Sequence, residues 1–176
     1  MISRLSPLAL LLGAATLSLA ARPANVTSAV AGPPWISIET PVNPYDVTTR
    51  GAFLLVHAFH HGASIDAPVS GTAEGLVNGE RKSVALDFTT TSRPGAYALR
   101  KQWPDAGLWT LVIKVEQHEN DAAQAIVELA SDGSVARVQV PTRPSARVDM
   151  PLPRSLTTRE IDSALRARAS VSRRSE

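Results

Sequence analysis

The four histidines are the residues of this chain whose chemistry most suggests a binding site. They are His57, His60, His61 and His118. Imidazole nitrogens are the usual protein ligands for copper and zinc where thiolates are absent, and the chain contains no cysteine. One hypothesis is therefore a copper or zinc site built from these four side chains, if the loops that carry them converge.

A structural role is the alternative for the same histidines. His57 shares a predicted strand face with Phe53, Leu55 and Phe59, where a histidine with a satisfied hydrogen bond is commoner than a metal ligand. Adjacent residues of an extended chain point to opposite sides, which separates the side chains of a His-His pair. The spacing alone leaves both interpretations open.

Catalytic patterns are missing from the sequence. No serine lies in a Gly-x-Ser-x-Gly turn, and no glycine-rich loop of the phosphate-binding type precedes a helix. Most of the carboxylates that would pair for glycoside hydrolysis fall at predicted outward or loop positions, where solvated charge is expected; the candidates are Asp66, Glu74, Asp87 and Glu116. We therefore expect a non-enzymatic protein without catalytic residues and without a resident cofactor.

Charge is nearly balanced over the chain as a whole. The sequence has 18 basic and 16 acidic residues, so no strong field attracts a nucleic acid. Residues 142–176 are the exception, with eight arginines, four acidic residues and no aromatic residue. The lack of aromatic side chains argues against binding to single-stranded nucleic acid. We expect this basic tail to be a solvated extension or to contact an acidic surface.

Residues 1–20 have the pattern of a secretory signal peptide. Arg4 precedes an apolar run, and Ser18-Leu19-Ala20 has the small-x-small form of a cleavage site. The run is short for a membrane span, and no other segment is apolar enough to cross a bilayer. With residues 21–34 as a flexible leader, the sequence predicts an exported protein, periplasmic or extracellular, whose mature chain does not span the membrane.

Residues 35–140 carry strand signals at short, regular intervals. Residues 52–59 are apolar on both faces, as in a central covered strand. Asn78-Gly79 predicts a hairpin turn, and the strand after it directs Val84, Leu86 and Phe88 inward. Asp132-Gly133 predicts a further turn. The pattern predicts an all-β, immunoglobulin-like β-sandwich of about 7–8 strands.

The stretch 93–115 is expected to form the centre of this sandwich. It reads as two strands of a hairpin joined at residues 104–107. On the second strand one face carries Trp109 and the aliphatic side chains Leu111, Ile113 and Val115. Core packing is the expected role of the aromatic residues. The alternative is that Trp35 and Trp103 are partly exposed and offer a stacking surface for a sugar or a base.

Residues 141–176 differ in composition from the domain before them. Four prolines predict a stiff extended linker, with Pro141 the first and Pro153 the last. The run 157–160 matches a capping box and predicts a short helix over about 157–169, with Ile161 and Leu165 on one side. We expect that removal of the chain after Pro141 leaves the β domain folded.

A family resemblance adds to this interpretation. Gly95-x-Tyr97 followed by Trp103-Pro104-x-x-Gly107-x-Trp109 resembles the closing hairpin of YtkA-like and FixH-like domains, which are small exported bacterial immunoglobulin-like modules. Asp66-Ala67-Pro68-Val69 resembles a turn of the same group. The resemblance covers about residues 35–116 and implies the fold, together with a role in metal handling or in assembly of respiratory complexes. The chain lacks the methionine cluster of the metal-binding versions.

Two functions follow from the sequence. The first is a non-enzymatic exported module that binds a partner protein in the bacterial envelope. The alternative is a periplasmic module that binds or delivers copper through the four histidines.

Overall fold

The computed structural model describes residues 32–118, 121–146 and 149–172. The predicted signal peptide and all but the last three residues of the predicted leader lie outside these residues. The described residues form the following strands and helix: β1 (Trp35–Glu39), β2 (Leu54–His60), β3 (Ala63–Ser64), β4 (Val69–Val77), β5 (Glu80–Ala85), β6 (Phe88–Thr90), β7 (Ala96–Leu99), β8 (Leu108–His118), β9 (Asp121–Leu129), β10 (Val135–Gln139), β11 (Thr142–Arg143), β12 (Leu152–Pro153) and α1 (Thr158–Ser172).

Ten of the strands build two five-stranded antiparallel sheets, and β11 and β12 form a separate two-stranded sheet. Sheet A has the order β1-β2-β7-β6 with β3 paired to β2, and sheet B has the order β10-β9-β8-β4-β5. The orders β1-β2-β7-β6 and β9-β8-β4-β5 correspond to the A-B-E-D and G-F-C-C′ arrangement of immunoglobulin sandwiches. The predicted all-β sandwich is confirmed.

The core lies between the two sheets. The predicted inward face of β8 is confirmed, since Trp109 is 3% exposed and Leu111, Ile113 and Val115 are fully buried. Gly75 on β4 lies opposite Trp109, and a Cβ at Gly75 would lie 2.5 Å from the indole ring. This glycine therefore leaves the space that the indole occupies.

Two tight turns connect paired strands. Asn78 and Gly79 have φ values of 52° and 80° and join β4 to β5, which confirms the predicted hairpin. His61 and Gly62, with φ values of 51° and 80°, join β2 to β3 in the same manner. The second turn reverses the chain at the histidine pair.

The predicted hairpin over residues 93–115 is wrong. β7 pairs with β2 and β6 in sheet A, whereas β8 pairs with β4 and β9 in sheet B. The chain between them crosses from one sheet to the other and carries Trp103 over the end of the core. Trp103 is only 5% exposed and packs edge-on against Phe53, with ring centroids 5.1 Å apart. The expected core packing is therefore confirmed for Trp103, and the alternative of a stacking surface there is wrong.

The predicted return strand after Asn78-Gly79 is divided between the sheets. β5 pairs with β4 in sheet B, and β6 pairs with β7 in sheet A. Leu86 lies at the crossing and is 6% exposed. Its inward direction is confirmed, because both halves of the segment present this side to the same core.

Gly95 and Tyr97 fix the segment before β4. The Tyr97 hydroxyl accepts a hydrogen bond of 2.9 Å from the Ala67 amide, and the Gly95 amide donates to Asp66 Oδ1 at 3.2 Å. Gly95 has a φ of 68°, and a Cβ there would lie 2.8 Å from the Ile65 carbonyl oxygen. A glycine and a tyrosine two residues apart thus hold residues 65–67 against β7.

Helix α1 packs on the outer face of sheet B against β4 and β8. The capping box is confirmed, because the Thr157 amide donates to Glu160 Oε2 at 2.8 Å and the Glu160 amide donates to Thr157 Oγ1 at 3.3 Å. Leu165 on α1 is 4% exposed, and Val112 on the outer face of β8 is 7% exposed. The expectation of a solvated tail is wrong for this helix, because its apolar side is buried on the sheet.

Within the described residues no helix combines the length and apolar character that a bilayer crossing requires.

Candidate functional site

His57 on β2 is engaged by a carboxylate. Its Nε2 lies 2.9 Å from Oε2 of Glu39 on β1, and the Arg93 guanidinium donates to the same oxygen at 3.3 Å. Burial raises the pKa of Glu39, but the bond to His57 and the charge of Arg93 outweigh it and hold that pKa below its usual value. The imidazole of His57 thus has the satisfied hydrogen bond expected of a structural histidine.

His60 and His61 lie next to each other at the β2–β3 turn. Their ring centroids are 4.1 Å apart at an interplanar angle of 64°, and His60 Nε2 lies 3.2 Å from the Gly32 carbonyl oxygen. The left-handed backbone of His61 brings the rings together, contrary to the expectation for neighbours in an extended chain. The turn therefore presents two imidazoles side by side.

His118 ends β8, is exposed, and pairs in register with Asp121 at the start of β9. In the described part of the chain no three His, Cys, Asp or Glu side chains come together to hold a metal ion. The structure joins His60 to His61 and engages His57 with Glu39. A metal site that uses all four histidines stays a prediction.

Among the described residues, the β1–β2 loop, residues 40–53, carries the most exposed apolar side chains. Tyr45 is 90% exposed and Val47 is 66% exposed. The Tyr45 amide donates to Asn43 Oδ1 at 3.0 Å, which fixes the turn before these two residues. Sequence analysis missed this apolar tip. The available signal was an aromatic residue directly after Pro44, in a segment that two prolines exclude from the sheet interior.

A short 3-10 helix, Val47–Thr49, gives the loop a defined shape. Asp46 caps it, and its Oδ1 accepts bonds from the Thr48 amide at 3.0 Å and the Thr48 hydroxyl at 2.6 Å. The bond from that hydroxyl is the main cause that lowers the pKa of Asp46. Thr49 is 2% exposed and anchors the other end of the turn in the protein.

Arg93 ties this loop to the sheet. One guanidinium nitrogen lies 3.6 Å from Asp46 Oδ2, and the other bonds to Glu39, which also holds His57. The contacts from His57 to Glu39, from Glu39 to Arg93 and from Arg93 to Asp46 therefore connect the loop to sheet A. In this arrangement His57 is linked through Glu39 and Arg93 to Asp46, the residue that follows Tyr45.

Glu74 on β4 differs from the expected solvated carboxylate. It is 7% exposed, with Arg81 Nη2 at 3.0 Å from Oε2 and the Ser83 hydroxyl at 2.8 Å from Oε1. Burial raises its pKa, but hydrogen bonds from Thr72, Ser83 and Arg81 outweigh it and lower the pKa below its usual value. Arg81 also pairs with Asp162 of α1, so this cluster fastens the helix to sheet B.

Two cavities lined by described residues are small. One of about 230 Å³ lies between sheet B and α1, beside Leu76 and Leu165, and one of about 130 Å³ lies beside Trp103 and Trp109. Small-molecule sites usually occupy about 300–1,000 Å³. Both cavities are therefore smaller than a usual small-molecule site.

The chain matches no protein-family model, no curated protein and no solved structure. The resemblance to YtkA-like and FixH-like domains stays a prediction from the motif residues.

Proposed function

We propose that this chain is a non-enzymatic exported β-sandwich module that binds a partner protein in the bacterial envelope. The observation that carries the proposal is the exposed pair Tyr45 and Val47 on an ordered loop. Tyrosine is enriched at the energetic centre of protein interfaces, because it buries a large area for few rotatable bonds. The proposed export rests on the signal pattern of residues 1–20.

The fixed shape of the loop supports this function. A loop that is already held by Asp46, Thr49 and Arg93 loses little conformational entropy when a partner binds. Burial of an apolar side chain of this size contributes about 1.5–3 kcal/mol. Burial of Tyr45 and Val47 in an interface therefore contributes part of the binding free energy of a complex of moderate affinity.

Photo-crosslinking tests the proposal. A benzophenone amino acid replaces Tyr45 in the full chain expressed in its host, and the same amino acid replaces Val138 on β10 as the control. Val138 is also apolar and exposed, at 37%. We expect a protein that crosslinks reproducibly from position 45 and not from position 138. The purified protein should then bind the wild-type chain about tenfold more tightly than the Tyr45→Ala/Val47→Ala variant.

Equal crosslinking from both positions would contradict the proposal. So would a purified candidate that binds the double variant as tightly as the wild-type chain.

A second candidate function is the binding or delivery of copper or zinc, and the contact between His60 and His61 favours it. Two adjacent imidazoles form part of the ligand set that either metal prefers. Titration with Cu(II) and Zn(II) tests it on the wild type and on the His60→Ala/His61→Ala variant. Micromolar or tighter binding that the double variant loses supports this function. Absence of saturable binding to the wild type would exclude it.

A further inference from the structure

An exposed arginine follows the apolar tip in the same β1–β2 loop. Arg50 follows the 3-10 helix Val47–Thr49 and is exposed. In a 3-10 helix the side chains of residues i and i+3 lie on the same side, which places Arg50 one turn after Val47 on the same surface.

A second arginine reaches the same loop from β7. Arg100 directly follows β7, is exposed, and places its Nη1 2.5 Å from the point that a Cβ on Gly51 would occupy. The end of β7 is bonded to the end of the loop, since the Phe53 amide donates to the Leu99 carbonyl at 2.7 Å. The guanidinium of Arg100 thus lies over the residue next to Arg50.

The acidic side chains near the loop are already engaged. Glu39 and Asp46 both face Arg93, at 3.3 Å and 3.6 Å. Among the residues that the structure describes, neither Arg50 nor Arg100 makes an ion pair. The β1–β2 loop and the end of β7 therefore present two guanidinium groups, those of Arg50 and Arg100, that are available to pair with a carboxylate of another molecule.

We propose that this surface binds an acidic segment of the partner protein. Carboxylates of the segment pair with Arg50 and Arg100 while an apolar side chain packs on Tyr45 and Val47. The inference rests on the proposed function, because it describes the partner of the same loop. Arginine and tyrosine together are the residue types that dominate protein interfaces, and a guanidinium holds a carboxylate through two parallel hydrogen bonds.

A protein partner fits these observations better than an anionic lipid surface. Two arginines alone give only weak adsorption to acidic lipids, which usually requires a cluster of four or more basic residues. A loop that exposes an aromatic side chain and lies next to two arginines suits a contact with both an apolar and an acidic element.

Selection from a phage-displayed library of random peptides tests the inference on the full mature chain. We expect the selected peptides to be rich in Asp and Glu and to carry an aromatic or aliphatic residue. The Arg50→Glu/Arg100→Glu variant should bind them about tenfold more weakly than the wild type. The matched variant Arg143→Glu/Arg159→Glu, which reverses two exposed arginines elsewhere, should bind them as the wild type does.

The outcomes separate this inference from the proposed function. Peptides that require Tyr45 and Val47 but are not acidic, and that tolerate the reversal of Arg50 and Arg100, would overturn the inference alone. A selection that enriches no peptide over the Tyr45→Ala/Val47→Ala variant would overturn both. Phosphatidylglycerol vesicles that bind the wild type and displace the selected peptides would assign the surface to lipid instead.

Discussion

Replacement of Leu165 by alanine measures how strongly helix α1 is held on sheet B. Leu165 is 4% exposed on the side of the helix that faces the sheet. It borders the cavity of about 230 Å³ that also touches Leu76. Because alanine is the best helix former, the substitution removes packing without weakening the helix itself.

The expected loss follows from the surroundings of Leu165. Replacement of a buried leucine by alanine usually costs about 2–5 kcal/mol of the free energy of unfolding. The adjacent cavity already leaves part of the side chain without neighbours, so we expect the lower end, about 2 kcal/mol. In a chain of this size that corresponds to a fall in Tm of about 4–8 °C.

Thermal unfolding of the mature chain, followed by far-ultraviolet circular dichroism, measures this effect. Ser163→Ala is the control, because Ser163 is exposed on the same helix. A fall of less than about 0.5 kcal/mol for Leu165→Ala, the size of an ordinary surface substitution, would show that α1 is not packed on the sheet and would refute the reasoning.

Three further predictions concern the core and the tail. Gly75→Ala should cost about 1–3 kcal/mol in urea unfolding, because the new methyl group would overlap the ring of Trp109; a neutral result would place the indole elsewhere. The bond from Arg154 is the main cause that lowers the pKa of Glu160 from 4.5 to about 2. The stabilisation by this carboxylate is therefore present above pH 4.5 and lost as the pH falls toward 2. The difference in Tm between the wild type and Glu160→Gln should shrink over that range, and a difference that does not change with pH would contradict the pairing. Truncation after Pro141 should lower Tm more than Leu165→Ala does, because it exposes Val112 as well, whereas an unchanged Tm would restore the sequence-based expectation of a dispensable tail.

The sequence was sufficient to predict those features of the fold that depend only on residues close to one another in the chain. Asn78-Gly79 specifies its turn because both residues adopt a positive φ. The alternation on β8 specifies its buried face because one face of a strand must enter the core. The capping box at Thr157 specifies the start of α1 for the same local reason.

Contacts between distant residues were not predictable from these patterns. The loop at residues 104–107 resembles a hairpin turn, and nothing local records that β7 and β8 join different sheets. The burial of Glu74 depends on α1, more than eighty residues later in the chain. The exposure of Tyr45 depends on the fixed path of its loop, for which the flanking prolines gave the only local signal.

The affinity of the partner protein for variants of the β1–β2 loop tests the central claim most directly. With the protein that crosslinks at position 45, we predict that Tyr45→Ala/Val47→Ala raises the Kd about tenfold or more. Val138→Ala, a change at an exposed apolar residue of β10, should leave the Kd unchanged. Equal Kd values for the wild type and the loop variant would contradict the assignment of this loop as the binding surface.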